Sequence, residues 1–283
     1  MIRNVVILAA LVVLAALALR LLVPRIVHRF IYFPQRTAEE EADPARWGLT
    51  TARELHLRAA DGVPLHAWWV PRPTGVPDCG TALYLHGNAG SIVGRGGIGL
   101  GIARTGFDVL MLDYRGYGRS GGEPDEAGLY LDAVAAHRYI VEVSGLPARR
   151  ILLFGESLGA AVAVELAARE PVGALVLAGP LPGTVLAART LYPFIPDFLL
   201  DWERHRFDAL SRIGRVEAPI LFAHGTEDRT IPRSLARTLY EAAGESKRWY
   251  AATGFGHNDI YDDPGFWRAV ARFARETMPC RES

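Results

Sequence analysis

The chain of 283 residues has only two cysteines, Cys79 and Cys280, and no excess of charge of either sign. Two cysteines are too few for a disulfide-rich scaffold or a four-cysteine zinc site, and the sequence leaves their pairing open. Basic and acidic residues number 31 each, so the formal net charge is zero. Nucleic-acid-binding proteins usually carry a basic excess, so this balance argues against that class. With 50% apolar and 22% charged residues, the composition is that of a folded protein with a large core.

The longest uncharged run lies at the N-terminus, where residues 5–19 carry no charge and apolar residues continue beyond Arg20 to Val23. A membrane-spanning helix needs about 20 apolar residues, and a single arginine near its end can extend toward water. The segment behind the run, PRIVHRFIYFPQR, mixes arginine with aromatic side chains, as is typical of the lipid headgroup level. We therefore expect a membrane anchor and juxtamembrane segment over residues 1–36 and a soluble domain over residues 37–283.

Two other interpretations of the run are open. Ala16-Leu17-Ala18 matches the A-x-A pattern of a cleaved secretory signal. A buried core helix is the third interpretation, although a helix without a polar face is a poor surface helix. Arg3 precedes the run and four arginines follow it, at positions 20, 25, 29 and 36. The positive-inside rule therefore favours a cytoplasmic domain, by a small margin because the N-terminal tail is short.

Beyond residue 36, short apolar runs alternate with helical patterns. Asp61-Gly62 between two alternating runs predicts a β-hairpin over residues 52–59 and 63–70. Later continuous apolar runs are typical of strands buried on both faces of a parallel sheet. These runs are residues 81–85, 109–112, 151–154, 174–177 and 220–223, with helical patterns over 126–143, 160–168 and 266–277. The alternation predicts an α/β fold: a mostly parallel sheet with an antiparallel N-terminal hairpin and helices on both faces.

The sharpest functional motif is Gly155-Glu156-Ser157-Leu158-Gly159, between the strand ILLF and the helix AAVAVELAA. G-x-S-x-G at a strand-to-helix turn is the nucleophile elbow, which exposes its serine above the sheet at a helix N-terminus. The same pattern occurs around Ser120, but loop residues follow it there, so we expect a structural role for Ser120.

A nucleophilic serine needs a general base and an acid that orients the base. His257 lies in TGFGHND, on a loop after the last predicted strand, from which it can reach Ser157. Asp228 in HGTEDRTIP, directly after the strand ILFA, is the expected acid, with Glu227 as its nearest rival. The order Ser157, Asp228, His257 is the one expected for a nucleophile elbow. Asp113, at the end of an earlier strand, is expected to organise a loop.

The loop HGNAGS follows the strand TALYL and is the expected source of an oxyanion hole. The residue after the nucleophile, Leu158, supplies one backbone N–H, and Asn88 in this loop is the expected second donor. A simple glycine-rich turn is the alternative for this loop. His86 and His224 each precede a glycine at a strand end, where we expect them to hold loops by hydrogen bonds.

LYLHGNAGS, LDYRGYGRSGG, GESLGAA, HGTEDRTIP and GHND, in this order and spacing, resemble the α/β-hydrolase superfamily. They are most similar to its single-pass, membrane-anchored branch with an HGN oxyanion loop, often labelled serine aminopeptidase-like, which includes eukaryotic protein depalmitoylases. The resemblance spans about residues 30–279. It implies a Ser157, Asp228 and His257 triad, oxyanion donors at Asn88 and Leu158, no metal and no organic cofactor. HGNAG differs from the HGGG loop of many lipases, so lipase specificity is not implied. The serine nucleophile argues against dehalogenases and epoxide hydrolases, which use aspartate.

These features predict a membrane-anchored serine hydrolase that cleaves an ester, thioester or amide of a small-molecule, acylated or lipid-like substrate. The alternatives are an aminopeptidase-like peptidase, transfer of the acyl group to an acceptor other than water, and a non-catalytic membrane scaffold on a hydrolase fold. An insertion between residues 177 and 220 carries many apolar side chains. They either line an acyl pocket that meets the membrane or pack helices onto the sheet. They are Leu186, Leu191, Tyr192, Phe194, Ile195, Phe198, Leu199 and Leu200.

Overall fold

The computed structural model describes residues 2–200 and 203–282, which form ten strands and eight α-helices. The strands are β1 (Phe33–Pro34), β2 (Arg53–Arg58), β3 (Pro64–Val70), β4 (Gly80–Leu85), β5 (Ala89–Gly90), β6 (Phe107–Leu112), β7 (Ile151–Glu156), β8 (Ala174–Ala178), β9 (Ile220–Gly225) and β10 (Lys247–Ala252). The helices are α1 (Ile2–Ile31), α2 (Gly96–Ala103), α3 (Glu126–Ser144), α4 (Leu158–Ala167), α5 (Thr184–Leu191), α6 (Asp197–Leu200), α7 (Arg233–Ala242) and α8 (Pro264–Thr277).

Eight of the strands form one sheet in the order β10-β9-β8-β7-β4-β6-β3-β2. The pairs from β10 to β6 are parallel, whereas β3 is antiparallel to both β6 and β2. The predicted parallel sheet and N-terminal hairpin are therefore confirmed. The hairpin turns at Gly62, whose φ of +89° is in the left-handed region that favours glycine.

Helices cover both faces of this sheet, which explains why its central strands are apolar on both sides. One core cluster packs α3 and α4 against one face, through side chains such as Leu129 and Val162. A second cluster packs α2 and α8 against the other face, through Ile102, Phe266 and Phe273. The carboxyl ends of β4, β7, β8 and β9 consequently share one edge of the sheet, where ligands bind in open α/β folds.

Four helices, α2, α5, α6 and α7, were not predicted from the sequence, and two of them, α2 and α7, cover the sheet. The segment GGIGLGIA forms α2 despite the low helix propensity of glycine. Close packing explains two of these glycines, because a Cβ at Gly99 would collide with Met111 and one at Gly101 with Trp267. The other helix, α7, is amphipathic and buries Leu235 and Leu239, which are four residues apart.

The two cysteines form a disulfide bond between Cys79, next to the start of β4, and Cys280, behind α8. Cys79 is fully buried. Reciprocal backbone hydrogen bonds of 2.8 Å join the neighbouring residues Asp78 and Arg281. The C-terminal tail is thereby fixed to the first parallel strand.

The N-terminal run lies in α1, a helix of 30 residues. Within the described residues it is the one helix long and apolar enough to cross a membrane, and none of its most apolar window is buried. The buried-core interpretation is therefore wrong, while an anchor and a signal sequence both fit this helix. Its last turn contacts the α/β part of the chain: the Nε2 of His28 donates to the carbonyl of Pro124 at 2.8 Å. Ile31 and Tyr32 are buried in the core.

Candidate active site

Ser157 occupies a sharp turn between β7 and α4, with backbone angles φ +53° and ψ −112°. Such a conformation costs a residue other than glycine about 1–3 kcal/mol, so the surroundings must impose it. Two glycines permit the turn. A Cβ at Gly155 would lie 2.6 Å from the Cα of Ala160, and a Cβ at Gly159 would collide with the carbonyl of Leu85. The G-x-S-x-G pattern is thus a steric requirement of this turn.

Three side chains from the carboxyl edge of the sheet form a continuous hydrogen-bonded chain. The Nε2 of His257 is 3.0 Å from the Oγ of Ser157, and its Nδ1 is 2.7 Å from the Oδ2 of Asp228. The other carboxylate oxygen, Oδ1, accepts from the backbone N–H groups of Thr230 and Ile231 at 2.8 and 2.9 Å. Because the carboxylate only accepts, Nδ1 carries the ring proton and Nε2 is free to accept the serine proton.

The electrostatics keep Asp228 ionised. Burial by itself raises the pKa of Asp228, but the hydrogen bond and charge interaction with His257 outweigh burial, so the pKa is lowered overall. The rival carboxylate, Glu227, is exposed, and its backbone N–H donates to the carbonyl of Phe255. The structure therefore brings Asp228, not Glu227, to the histidine. Gly179 leaves room for the histidine ring, because a Cβ there would lie 2.9 Å from the Cε1 of His257.

Ser120, the second serine in a G-x-S-x-G pattern, is fully buried. Its hydroxyl donates to the carbonyl of Asp113 at 2.6 Å and accepts from the N–H of His66 at 2.8 Å. The carboxylate of Asp113 in turn accepts from the N–H of Ile92 and lies 2.8 Å from the Nδ1 of His66. These contacts have the structural, loop-organising character expected for Ser120 and Asp113.

His86 and His224 also bond to loop backbone. The Nδ1 of His86 is 2.7 Å from the carbonyl of Gly87, and the Nδ1 of His224 is 2.8 Å from that of Gly225. Burial, aided by the charge of Arg95, lowers the pKa of His86 to about 4. His86 is consequently neutral at physiological pH.

Known proteins are similar to this chain in sequence or in fold. A family model described as "alpha/beta hydrolase fold" matches residues 83–209. The uncharacterized protein Rv2307c of Mycobacterium tuberculosis is 37% identical over 254 residues, 88% of this chain and 87% of that one. The chain belongs to the α/β-hydrolase family.

Two further proteins are similar to this α/β hydrolase, one in sequence and one in structure. Protein bem46 of Schizosaccharomyces pombe is 28% identical over 253 residues, 86% of this chain and 83% of that one. The Pyrococcus furiosus esterase Pf2001 superposes with a TM-score of 0.70 at 20% identity, over 88% of this chain and 98% of that one. The latter similarity shows a shared fold.

The HGN loop of the hydrolase pairs with the segment directly behind α1. β1 and β5 form a short parallel ladder with Phe33 opposite Ala89. The carbonyl of Asn88 accepts from the N–H of Phe33 at 3.0 Å and from the hydroxyl of Tyr117 at 2.8 Å. The side-chain amide of Asn88 donates to the carbonyl of Ile31 at 3.0 Å. The backbone N–H of Asn88 has no acceptor among residues 2–200 and 203–282, so it can donate to a ligand. No sequence pattern predicted this pairing.

Leu158 is the first residue of α4, so its N–H has no acceptor within the helix. It follows Ser157 directly, at the positive end of the helix dipole. An N–H in this position can donate to an oxyanion that forms beside the serine.

A buried ion pair beneath the elbow was missed by the sequence analysis. The Nε of Arg95 is 3.1 Å from the Oε2 of Glu156, which also accepts a hydrogen bond from the hydroxyl of Tyr84. Arg95 further donates to the carbonyls of Ser91 and Ala89, both at 2.8 Å. Burial by itself raises the pKa of Glu156, but the charge of Arg95 and these hydrogen bonds outweigh it and lower the pKa overall. Arg95 thus joins the elbow to the HGN loop.

The insertion forms α5 and α6 and divides into a packed and an exposed part. Ala187 packs with Ile231 and Leu235, close behind Asp228 in the chain. Tyr192, Phe194 and Phe198, by contrast, are 50%, 79% and 55% exposed. The packing interpretation therefore holds for one part of the insertion, and the acyl-pocket interpretation stays a prediction for the exposed part. Among residues 2–200 and 203–282, no cluster of three or more His, Cys, Asp or Glu side chains could hold a metal ion.

Proposed function

We propose that the protein is a membrane-anchored serine hydrolase that cleaves a carboxylic ester, thioester or amide through an acyl-enzyme on Ser157. The observation that carries this proposal is the hydrogen-bonded chain Ser157–His257–Asp228, with distances of 3.0 and 2.7 Å, at a strained strand-to-helix turn. A strained backbone costs free energy of folding. A turn with a purely structural role would not need this cost, so the strain supports a functional role for the serine beside the histidine base.

The geometry leads to a two-step reaction. The Oγ of Ser157 attacks the substrate carbonyl carbon while the Nε2 of His257 takes the hydroxyl proton. The resulting imidazolium is stabilised by the ionised Asp228, and the N–H groups of Leu158 and Asn88 donate to the oxyanion. Collapse of the tetrahedral intermediate breaks the bond to the leaving group, which receives the proton from His257. A water molecule, activated by the same histidine, then hydrolyses the acyl-enzyme and regenerates the serine.

An acylated or lipid-like substrate is supported by the surface around the site. The exposed aromatic side chains of the insertion, with Phe194 at 79%, form an apolar surface on the soluble domain. His205, in the same insertion, contacts Tyr32, the residue directly after α1. An apolar surface next to a membrane helix suits a substrate that carries an acyl chain. The esterase of P. furiosus, which shares the fold, is a precedent for ester hydrolysis on it.

We also propose that α1 is retained as an anchor. Its 30 residues span about 45 Å, more than the hydrocarbon thickness of about 30 Å. Two observations bear on which side of the membrane the domain occupies, and they point in opposite directions. The arginines behind the run favour the cytoplasm, but a buried disulfide is typical of an oxidising compartment. Since the arginine margin is small, we give the disulfide more weight and place the domain on the oxidising side, opposite to the expectation from charge alone.

A fluorophosphonate probe that labels activated serines tests the proposal on membranes containing the full chain. We expect labelling of the wild type and of Ser120→Ala, and none of Ser157→Ala. Acyl esters, thioesters and aminoacyl amides are then compared as substrates. Preferred cleavage of aminoacyl amides would support the peptidase instead, and labelling that survives in Ser157→Ala would refute the assigned nucleophile. A folded wild type without labelling or turnover would favour the non-catalytic scaffold.

A further inference from the structure

A pocket of about 440 Å³ lies where α1 meets the soluble domain, outside the candidate active site. One wall is a single face of the last turns of α1, and the other comes from the segments around Glu123 and behind α6. Its polar lining is mainly basic. The basic residues are Arg20, Arg25, Arg29, Arg204, His28 and His205.

The arginines of this pocket are not neutralised by the protein. All four are exposed, and no ion pair joins any of them to a carboxylate of residues 2–200 and 203–282. Among the described residues, Arg25 is the one arginine of these four whose side chain makes a hydrogen bond, to the carbonyl of Leu21 at 3.0 Å. Glu123 is the one acidic residue in the lining. Four guanidinium groups against one carboxylate leave a net charge of about +3, which an anion in the pocket would offset.

The rear of the pocket is fixed by hydrogen bonds. The Nδ1 of His205 accepts from the N–H of Glu126 at 3.3 Å and lies 3.2 Å from the hydroxyl of Tyr32. The neutral His205 ring therefore carries its proton on Nε2, as a donor. The Nε2 of His28 donates to the carbonyl of Pro124. The rings of His28, Tyr32 and His205 contact one another, with centroids 4.8–5.5 Å apart. This side of the pocket is held in place without a ligand.

The position of the pocket along α1 indicates the source of the anion. The uncharged run ends at Leu19, and the pocket begins at Arg20. The apolar run of residues 5–23, with its single arginine, covers about 28 Å of helix, so the turns behind it, which carry Arg25 and Arg29, lie at headgroup depth when α1 spans the bilayer. Phe30, which is 72% exposed, lies at the same level, as is typical of interfacial aromatic residues. In both leaflets, the anions at this depth are the phosphates of the lipid headgroups.

We propose that this pocket binds the phosphate headgroup of an anionic phospholipid whose acyl chains lie along the apolar face of α1. Arg25 and Arg29 on α1 and Arg204 on the soluble domain contact the phosphate from two sides. The proposal rests on the anchor put forward under Proposed function, but not on the hydrolase chemistry. A bound lipid would join α1 to the soluble domain and orient the domain on the membrane.

Competition binding with the full-length protein in neutral detergent micelles tests this site. The probe is a fluorescent short-chain phosphatidylglycerol, and its binding is followed by fluorescence anisotropy. Dioctanoyl-phosphatidylglycerol, dioctanoyl-phosphatidylcholine, glycerol phosphate and inorganic phosphate serve as competitors. We expect the phosphatidylglycerol to compete at least about tenfold better than the other three. Each arginine near an anionic headgroup contributes roughly a fivefold gain in affinity. We therefore expect about fivefold weaker probe binding in Arg204→Gln and about 25-fold weaker binding in Arg25→Gln/Arg29→Gln.

The matched control is Arg268→Gln/Arg272→Gln, which removes two arginines from a surface groove on α8. We expect it to change binding by less than about twofold, and Arg204→Lys to retain most of the affinity. Equal weakening by the control, equal competition by phosphatidylcholine, or unchanged binding in the pocket variants would overturn the proposal. Competition by inorganic phosphate as strong as that by the lipid would assign the pocket to a soluble anion instead. Fluorophosphonate labelling of the same preparations reports Ser157 separately, so a failure of the hydrolase proposal is distinguishable.

Discussion

The side-chain amide of Asn88 donates a hydrogen bond of 3.0 Å to the carbonyl of Ile31, the last residue of α1. The proposed oxyanion loop is therefore held by the end of α1 and the segment directly behind it. The N–H of Phe33 adds a second bond, to the carbonyl of Asn88, at 3.0 Å. The end of α1, the proposed anchor, is thus hydrogen-bonded directly to the proposed oxyanion loop.

Asn88→Ala should lower the rate of the hydrolase without unfolding it. The substitution keeps the backbone N–H but removes the bond to Ile31, and one such bond contributes about 1 kcal/mol to holding the loop. We expect a fall of about fivefold in kcat or in the rate of fluorophosphonate labelling, with a small change in KM. Tyr117→Phe, which removes the other side-chain bond to residue 88, should behave similarly. Rates equal to the wild type in both variants would show that these bonds do not position the loop.

Asp228→Asn should nearly abolish activity while preserving the fold. An amide can donate to the Nδ1 of His257, which favours the ring tautomer that cannot accept the proton of Ser157. The loss of kcat in a triad of this geometry is about 10⁴-fold. The matched control is Glu227→Gln, an exposed neighbour, which should remain within about twofold of the wild type. Turnover of an acyl ester and thermal unfolding are the measurements. An active Asp228→Asn variant would remove the acid from the proposed mechanism.

Local sequence patterns predicted much of the fold. Each continuous apolar run became a buried parallel strand, because covering helices make both faces apolar. Asp61-Gly62 marked the hairpin, since a two-residue turn with positive φ leaves few choices of residue. The chain from Ser157 through His257 to Asp228 also followed from loop positions at one sheet edge.

Contacts between distant segments were not predictable. Arg95 and Glu156 are 61 residues apart, and neither lies in a pattern that marks it as buried. The helix α2 contains four glycines, and the need for two of them, Gly99 and Gly101, is visible only when Met111 and Trp267 pack against the helix. The bonds between the HGN loop and the segment after α1 depend on the route of the chain across the domain, which periodicity does not encode.

The disulfide between Cys79 and Cys280 should stabilise the domain and report its compartment. It closes a loop with a sequence separation of 201 residues, and removal of such a bond costs about 2–5 kcal/mol. We expect Cys280→Ser to unfold at a lower denaturant concentration than the wild type. In intact cells, a membrane-permeant maleimide should modify neither cysteine unless a reductant is added first. Modification without reductant would place the domain in a reducing compartment, in agreement with the arginine count.

Glu156→Gln should destabilise the fold in a way that depends on pH. The pKa of Glu156 is lowered below its ordinary value of 4.5 in the folded protein, because Arg95 and Tyr84 outweigh the effect of burial. A carboxylate with a lowered folded pKa contributes stability above its unfolded pKa, and this contribution is lost as the pH falls through the folded pKa. At pH 7 the neutral amide leaves Arg95 mostly buried without its charge partner, which costs about 3 kcal/mol. The difference in unfolding free energy between wild type and variant should therefore be largest near neutral pH and should shrink below about pH 4.5. Chemical denaturation at several pH values measures it, with the exposed Glu245→Gln as control. A difference that stayed constant down to pH 3 would mean that the side chain acts by its shape and hydrogen bonds, and not by its charge.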